Sequence, residues 1–397
     1  MPFLDQGAAA FFNFFFVFLA SVVLSPEEFV FANYGYLELL FAITLSQAFI
    51  FQPYLWTTSK SGFANVRATT LHATLACVIV SMVASPLLYM VSKNLGMPAQ
   101  AIYLTVLILY AAMLYELGRR VNMLRGRWSL NLFCGMSLSA LMFLIVLALR
   151  PNTASGILTA MLTGYTILGV PMLLFGLVGV FRSPVARNVV GAIPDNPNSY
   201  WRSLRYGGWL SGEAIAHWFT TAGYLLVIAN LVSTYDFAGL RITQNLMNGI
   251  ILIFVALENY VLSGHARRLL ERPSSVYGYL ALMVALYSMF ACAAFTLIYP
   301  SMRSFAYVFA LWAVGYLLFS FAKLWALILK WHGDARSIVM GQISGVAFFM
   351  LLISLVALLG LRLSAVEVAL FWLLSSLIFS VLVLFKVKVI LQRGGSS

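Results

Sequence analysis

Runs of about twenty apolar residues recur along the whole chain, and they restrict its fold more than any other feature. A helix rises 1.5 Å per residue, so about twenty apolar residues cross the roughly 30 Å hydrocarbon core of a bilayer. The sequence therefore predicts an all-α polytopic membrane protein of about twelve transmembrane helices. The predicted helices cover 8–24, 30–57, 70–91, 99–118, 129–149, 156–181, 207–230, 237–263, 275–299, 304–330, 337–361 and 364–386.

The composition agrees with this prediction and argues against most enzyme classes. Hydrophobic residues make up 62% of the chain and charged residues only 9%, whereas a soluble domain carries about 25% charged residues. Cys77, Cys134 and Cys292 lie in apolar runs without metal-ligand spacing. The sequence contains no HExxH motif, Walker loop or strand-linked GxGxxG motif. We therefore expect no metal, no cofactor and no catalytic residue.

The basic residues are distributed unequally between the two sides of the predicted membrane domain. If the N-terminus is cytoplasmic, eighteen of the 24 Lys and Arg residues face the cytoplasm. The others are Lys323, within a helix, and five on the opposite side: Lys93, Arg150, Arg241, Arg303 and Arg362. The positive-inside rule then places both termini in the cytoplasm. Topology and anionic lipids explain the net charge of +12, so no nucleic-acid partner is predicted.

The longest polar connection, 182–206, contains three prolines and divides the predicted helices into two sets of six. We predict an N-terminal bundle over 1–181, a cytoplasmic linker over 182–206 and a C-terminal bundle over 207–397. Equal and even helix numbers indicate a parallel pseudo-repeat. The outward turns at 25–29 (Ser-Pro-Glu-Glu-Phe) and 233–237 (Ser-Thr-Tyr-Asp-Phe) resemble each other, although short acidic turns are also common without duplication.

Several short stretches resemble the polysaccharide and O-antigen flippases of the multidrug/oligosaccharidyl-lipid/polysaccharide (MOP) exporter superfamily. They are 19–29 (LASVVLSPEEF), 205–207 (RYG), 236–240 (DFAGL) and 264–269 (GHARRL). Ser25 and Val30 stand where the family's first turn has glycines. The resemblance implies two bundles flanking a central cavity, lined mainly by helices one, two, seven and eight, that opens alternately to each side. It also implies a lipid-linked oligosaccharide as substrate.

A polar stripe on predicted helix seven is the most informative local pattern. Glu213, His217, Thr220, Thr221 and Tyr224 recur at spacings of three and four, which places them on one helix face. Glu213 and His217, one turn apart, could exchange a proton and couple transport to it. Alternatively, the two side chains satisfy each other and tie helix seven to its neighbour.

Two further polar tracks are candidates for the same cavity, because polar groups within the hydrocarbon are costly unless they are satisfied. One lies on helix eight; the other combines helices one and two. Amides in membrane helices also join neighbouring helices, and Glu38 could instead form an ion pair in helix packing. The candidates are Arg241, Asn245 and Asn248, then Asn13, Tyr34, Glu38 and Gln52.

One acid on predicted helix four is interpreted as structural. Glu116 precedes Arg119 and Arg120 by three and four residues, which predicts a local interfacial ion pair.

The function favoured by these observations is a flippase for a lipid-linked, polyprenyl-pyrophosphate-type oligosaccharide in surface polysaccharide assembly. Its partners would be the substrate, membrane lipids and polysaccharide polymerase or export proteins. Glu38, Glu213 and Glu258 outnumber Arg241 in the expected cavity, so the charge of the substrate stays open. The alternatives are a small-molecule/proton antiporter, a glycan-modifying membrane enzyme such as a polymerase or transferase, and a scaffold subunit.

Overall fold

A computed structural model describes residues 2–51, 53–55, 58, 66–182, 212, 215–250, 273–331 and 335–394. Within these ranges the regular structure is helical, apart from one isolated bridge between Val232 and Leu363. Twelve helices follow one another, which confirms the predicted fold class. They are α1 (Pro2–Val23), α2 (Pro26–Ser46), α3 (Val66–Asn94), α4 (Ala99–Leu124), α5 (Trp128–Leu149), α6 (Ala154–Arg182), α7 (Ile215–Ile228), α8 (Thr234–Met247), α9 (Pro273–Ile298), α10 (Val308–Trp331), α11 (Ala335–Leu358) and α12 (Ala365–Gly394).

Most of these helices are long and apolar enough to cross a bilayer. Nine helices in the described ranges meet both criteria, and α1 and α7 contribute the shorter apolar segments Phe11–Val23 and Ile215–Ile228. A π-helical turn, Gln47–Phe51, continues α2, and a 3-10 helix, Pro300–Tyr307, precedes α10. The chain is therefore a multi-pass integral membrane protein.

Several helices extend beyond the apolar runs that predicted them. The second helix begins at Pro26 rather than residue 30, because Ser25 caps it: the Glu28 backbone N–H donates to Ser25 Oγ at 3.4 Å. Proline at the first helical position and acids in the first turn also favour this start. The fourth helix continues from 118 to Leu124 because its polar residues, including Asn122, are buried and hydrogen-bonded. Hydropathy locates the apolar stretch rather than the end of the helix.

The chain forms two compact units, Met1–Trp218 and Phe219–Ser397. Of the linker predicted over 182–206, only residue 182 lies within the described ranges. The predicted division into bundles over 1–181 and 207–397 stays a prediction.

Each unit contains one pair of helices in especially extensive contact. In the first unit, α4 packs along α6, where Gly118 faces the Leu173 backbone. In the second unit, α10 packs along α12, where Gly315 faces the Trp372 ring. Glycine allows this close approach, as is common between membrane helices.

The turns at 25–29 and 233–237 resemble each other in structure as well as in sequence. Glu28 Oε2 accepts a hydrogen bond from the Ala154 N–H, at the start of α6, at 2.6 Å. Asp236 Oδ1 accepts one from the Ala365 N–H, at the start of α12, at 3.4 Å. Ser233 caps α8 as Ser25 caps α2. In both units an acid beside the first turn therefore caps a distant helix, which supports the predicted internal repeat.

We expect the Gly118→Ala substitution to lower the stability of the protein. A Cβ atom at this position would lie 2.8 Å from the Leu173 backbone nitrogen, so α4 and α6 would have to separate. The expected cost is about 1–3 kcal/mol, measured as a lower thermal unfolding midpoint in detergent. Gly278→Ala on α9 is the control, because its Cβ atom would meet nothing within 4 Å. An equal decrease in both variants would contradict the close α4–α6 packing.

Candidate functional site

Each unit contains a group of polar side chains that includes residues predicted to line a cavity. We define the N-terminal cluster by Asn13, Tyr34, Tyr36, Glu38 and Ser92. We define the C-terminal cluster by Thr220, Thr221, Tyr224, Arg241, Thr243, Gln244, Asn245, Asn248, Trp312, Tyr316 and Trp372. Buried polar groups in the membrane are expensive, so the partner of each group indicates its role.

Glu38 is the acidic centre of the N-terminal cluster. It lies on α2 and is only 2% exposed, and the Ser92 hydroxyl of α3 donates to its Oε2 at 2.6 Å. In the part of the chain that the structure describes, Oε1 has no hydrogen-bond partner. A buried carboxylate that keeps its charge with one hydrogen-bond donor loses more solvation free energy than the donor returns. The Glu38 carboxyl is therefore suited to binding a proton.

The other N-terminal candidates differ in the exposure of their side chains. The Tyr36 hydroxyl donates to Asn13 Oδ1 at 2.7 Å, which joins α1 to α2, while Asn13 stays exposed. Tyr34 is buried, and its ring lies edge-on to Phe31. Gln52 lies outside the described residues. Cavity lining by this set stays a prediction.

A π-helical turn, Phe219–Gly223, lies in the middle of the predicted polar stripe on α7. A π turn disturbs the regular backbone hydrogen bonds and is frequent at functional sites. Two carbonyls of this turn accept side-chain hydrogen bonds. The Trp372 indole N–H of α12 donates to the Thr220 carbonyl at 2.7 Å, and the Gln244 amide of α8 donates to the Thr221 carbonyl. Side chains of α8 and α12 thus stabilise an irregular turn that the sequence did not predict.

The residues of the predicted stripe differ in exposure. His217 and Thr220 are half-buried, whereas Tyr224 is buried. Glu213 lies outside the described residues, so proton exchange between Glu213 and His217 stays a prediction.

The polar face of α8 is buried along its length. Arg241 is 3% exposed, and its Nη1 donates to Gln244 Oε1 at 3.3 Å. Because Gln244 also donates to Thr221, one amide connects the guanidinium group of α8 to the π turn of α7. Asn245 is buried and Asn248 is half-buried on the same helix. Arg241, Gln244 and Asn245 thus form a buried polar track on α8, and its role as cavity lining stays a prediction.

Three aromatic rings from α10 and α12 pack beside this track. The centroids of Trp312 and Trp372 are 4.8 Å apart, and those of Tyr316 and Trp372 are 5.0 Å apart. The Trp312 indole donates to Thr243 Oγ1 at 3.1 Å, and the Tyr316 hydroxyl donates to Asn248 Oδ1. The sequence did not single out these residues or Gln244. In the sequence, the spacing of four between Trp312 and Tyr316 indicates only that the two residues share one helix face.

The Tyr224 hydroxyl is buried and makes no hydrogen bond to any residue that the structure describes. The ring of Tyr224 is 2% exposed and packs edge-on to Phe349, with centroids 5.3 Å apart. Arg241 and Tyr316 both act on it electrostatically. An unsatisfied buried hydroxyl costs about 1–3 kcal/mol, so it is a candidate for contact with a ligand.

The predicted local ion pair on α4 is confirmed, and it is buried within the protein. Glu116 Oε1 lies 2.8 Å from Arg119 Nη1, and Oε2 lies 3.5 Å from Arg120 Nη2. Asn131 of α5 donates to the Arg119 carbonyl at 3.0 Å. Burial requires the charges to be paired, and the pair therefore helps to hold α4 against its neighbours.

No metal-binding constellation is apparent in the described ranges: no group of three or more His, Cys, Asp and Glu side chains is placed to hold an ion. The three cysteines are free thiols.

Comparisons with known proteins identify the fold. No protein-family model matches the sequence, and the search of curated proteins finds no match. Among solved structures, the chain is similar to the inward-facing conformation of a multidrug resistance MATE family transporter of the MOP superfamily. The TM-score is 0.67 at 12% identity, covering 97% of this chain and 95% of that one.

Two further structures agree. The outward-facing conformation of a multidrug resistance MATE family transporter gives a TM-score of 0.58 at 13% identity, covering 100% of this chain and 94% of the other. A MATE structure in the bent conformation gives 0.56 at 12% identity, covering 100% and 95%. The chain therefore has a MATE-like fold over nearly its whole length.

Removing the donor to Glu38 should reveal how much the N-terminal cluster depends on it. We expect Ser92→Ala to destabilise the protein by about 1–3 kcal/mol, because the buried carboxyl loses its described donor. In a Glu38→Leu background the same change should cost much less. Thermal unfolding of the four proteins in the cycle measures the coupling.

Ser85→Ala is the matched control on α3, since the Ser85 hydroxyl donates mainly to the Ser81 carbonyl of its own helix. A Ser92→Ala effect no larger than that of Ser85→Ala would contradict the proposed contact.

Proposed function

We propose that the chain is a transporter that moves a lipid-linked oligosaccharide across a bacterial inner membrane by alternating access. The substrate would be a polyprenyl-pyrophosphate-linked unit, carried from the cytoplasmic to the outer leaflet for surface polysaccharide assembly. Both termini would be cytoplasmic. The substrate itself, membrane lipids and polysaccharide polymerase or export proteins are the proposed partners.

The observation that carries this proposal is the chemistry of the C-terminal cluster. Amides and hydroxyls are suited to sugar hydroxyls, and Asn245, Asn248 and Tyr224 provide both within this cluster. Aromatic rings can contact the apolar faces of sugars, as Trp312 or Tyr316 would do after a change of rotamer. Each sugar hydroxyl left unpaired in hydrocarbon costs a few kcal/mol. A headgroup with many hydroxyls therefore needs a polar route of this kind.

Arg241 provides the cluster with a buried guanidinium group, which is suited to the phosphate part of the substrate. Arg241 is buried and shares one hydrogen bond with the neutral amide of Gln244. Arginine recognises phosphate through several donors in a fixed fork. We propose that Arg241 contacts the pyrophosphate during passage and that the amides contact the sugars.

A second candidate is export of a small molecule in exchange for protons. It is favoured by the buried carboxyl of Glu38 and by the multidrug transporters whose fold the chain shares. The acid would bind a proton while a cationic or neutral compound moves in the other direction.

The enzyme alternative is less favoured by the described connections. Outward connections predicted from the topology consist of a few residues, as at 24–25, 95–98, 150–153, 229–233 and 359–364. A polymerase or transferase of this class would carry catalytic groups on a substantial outer segment. These short turns are more compatible with transport.

A reconstituted assay separates the two transport candidates. The full chain is placed in vesicles with a fluorescent polyprenyl-pyrophosphate oligosaccharide, and a membrane-impermeant glycosidase reports the leaflet that holds it. We expect protein-dependent translocation of this lipid and none of the polyprenyl phosphate without sugars. Proton-coupled movement of a small drug without headgroup translocation would instead support the antiporter.

We expect Tyr224→Phe to reduce transport without destabilising the protein. The Tyr224 hydroxyl makes no hydrogen bond to a described residue, so its loss should leave the unfolding midpoint unchanged or slightly higher. If the hydroxyl contacts substrate, the initial translocation rate should fall by about fivefold, which corresponds to one hydrogen bond of about 1 kcal/mol.

Tyr287→Phe is the matched control for this prediction. The Tyr287 hydroxyl donates to the Leu246 carbonyl at 2.6 Å, so its removal should lower stability by about 1 kcal/mol. Transport per folded molecule should stay close to that of the wild type. Unchanged transport in Tyr224→Phe would remove this hydroxyl from the proposed substrate path.

A further inference from the structure

A groove between α11 and α12 combines a cationic mouth with an apolar interior. It encloses about 520 Å³, which lies within the usual range for small-molecule sites. Arg336 and Lys386 provide the positive charge, and the other lining residues are uncharged: Ser337, Met340, Gly341, Ser344, Leu382 and Phe385. No carboxylate occurs among the described residues that line it. The groove therefore combines positive charge with uncharged, largely apolar surface.

The two helices stay in contact along the groove: a Cβ atom at Gly341 would lie 3.3 Å from Phe379 and from Val383. At Gly345 they touch, since a Cβ atom there would lie 2.9 Å from the Ser375 carbonyl oxygen, and the Ser375 hydroxyl donates to the Gly345 carbonyl at 2.8 Å. Ser344, one residue away, already lines the groove. From there to Arg336 is about 12 Å along the helix. The groove therefore extends along the α11–α12 contact from Ser344, beside Gly345, to the cationic end.

The lining residues occupy one face of each helix. Arg336, Met340 and Ser344 recur every four residues on α11, while Leu382, Phe385 and Lys386 follow spacings of three and one on α12. Met340, Leu382 and Phe385 are 50%, 39% and 63% exposed. Arg336 and Lys386 belong to the end of the helices that charge bias places at the cytoplasmic side. The cations thus lie at headgroup level and the apolar side chains lie at acyl-chain level.

We propose that this groove binds one anionic glycerophospholipid, independently of the transported substrate. The phosphodiester would lie between Arg336 and Lys386, near the first turn of α11, whose backbone N–H groups also favour an anion. An acyl chain would lie against Met340, Leu382 and Phe385. Basic pockets between membrane helices on the cytoplasmic side suit anionic headgroups, because that leaflet is rich in them.

Native mass spectrometry of the full chain, purified in detergent and incubated with phosphatidylglycerol or phosphatidylcholine, tests the proposal. We expect phosphatidylglycerol to be retained more than phosphatidylcholine. Arg336→Gln and Lys386→Gln should each lower its occupancy by about fivefold, as the loss of one cation near a headgroup implies. Ser344→Leu, which fills the groove without changing its charge, should lower the retention of both lipids.

Lys388→Gln is the matched control, because Lys388 is exposed on the same helix two residues from Lys386 and does not line the groove. It should retain phosphatidylglycerol like the wild type, and the lipid should raise the unfolding midpoint of both but not of Arg336→Gln. Equal losses in Lys388→Gln and Lys386→Gln would overturn the proposal in favour of general surface charge. Displacement of the lipid by inorganic phosphate alone, or a dimer that occupies the groove, would also overturn it. All readouts are of binding, so they do not depend on the transport activity.

Discussion

The organisation of this protein depends on one requirement: inside the membrane, every backbone and side-chain polar group needs a partner from the protein itself. The π turn of α7 shows how far this requirement extends. Its irregular backbone presents the Thr220 and Thr221 carbonyls, and Trp372 and Gln244 provide the donors. Gln244 in turn accepts from Arg241. Buried polar residues of two other helices, α8 and α12, thus satisfy one irregular turn, and the C-terminal cluster forms around it.

The same requirement explains which parts of the structure the sequence predicted well. Long apolar runs can only be helices in lipid, so the helix number and the all-α class followed from hydropathy. The ion pair of Glu116 followed from local spacing, because its partners lie one turn away. Helix ends were less accurate, since capping by Ser25 and burial of Asn122 depend on contacts that hydropathy does not register.

The site was harder to predict than the fold. Arg241, Asn245 and Asn248 were predicted because polar residues stand out in a segment expected to span the membrane, and cavity lining by them stays a prediction. Trp312, Tyr316 and Trp372 could not be distinguished from aromatic anchors at the membrane surface, which have the same composition. Their indole and hydroxyl groups acquire a role only through Thr243, Asn248 and the π turn, on other helices. The partner of Glu38, Ser92, is 54 residues away on a different helix, and no sequence spacing indicates it.

The helix caps formed by Glu28 and Asp236 also constrain the order in which the chain folds during synthesis. The carboxylate of Glu28 meets an N–H group 126 residues further along, and that of Asp236 meets one 129 residues further along. Neither carboxylate has this partner until the last helix of its own unit has been inserted. Proteins of this size generally fold unit by unit from the N-terminus. The first unit can therefore complete this contact while most of the second is still being translated, so a stalled or truncated chain should leave one of the two caps formed and the other open.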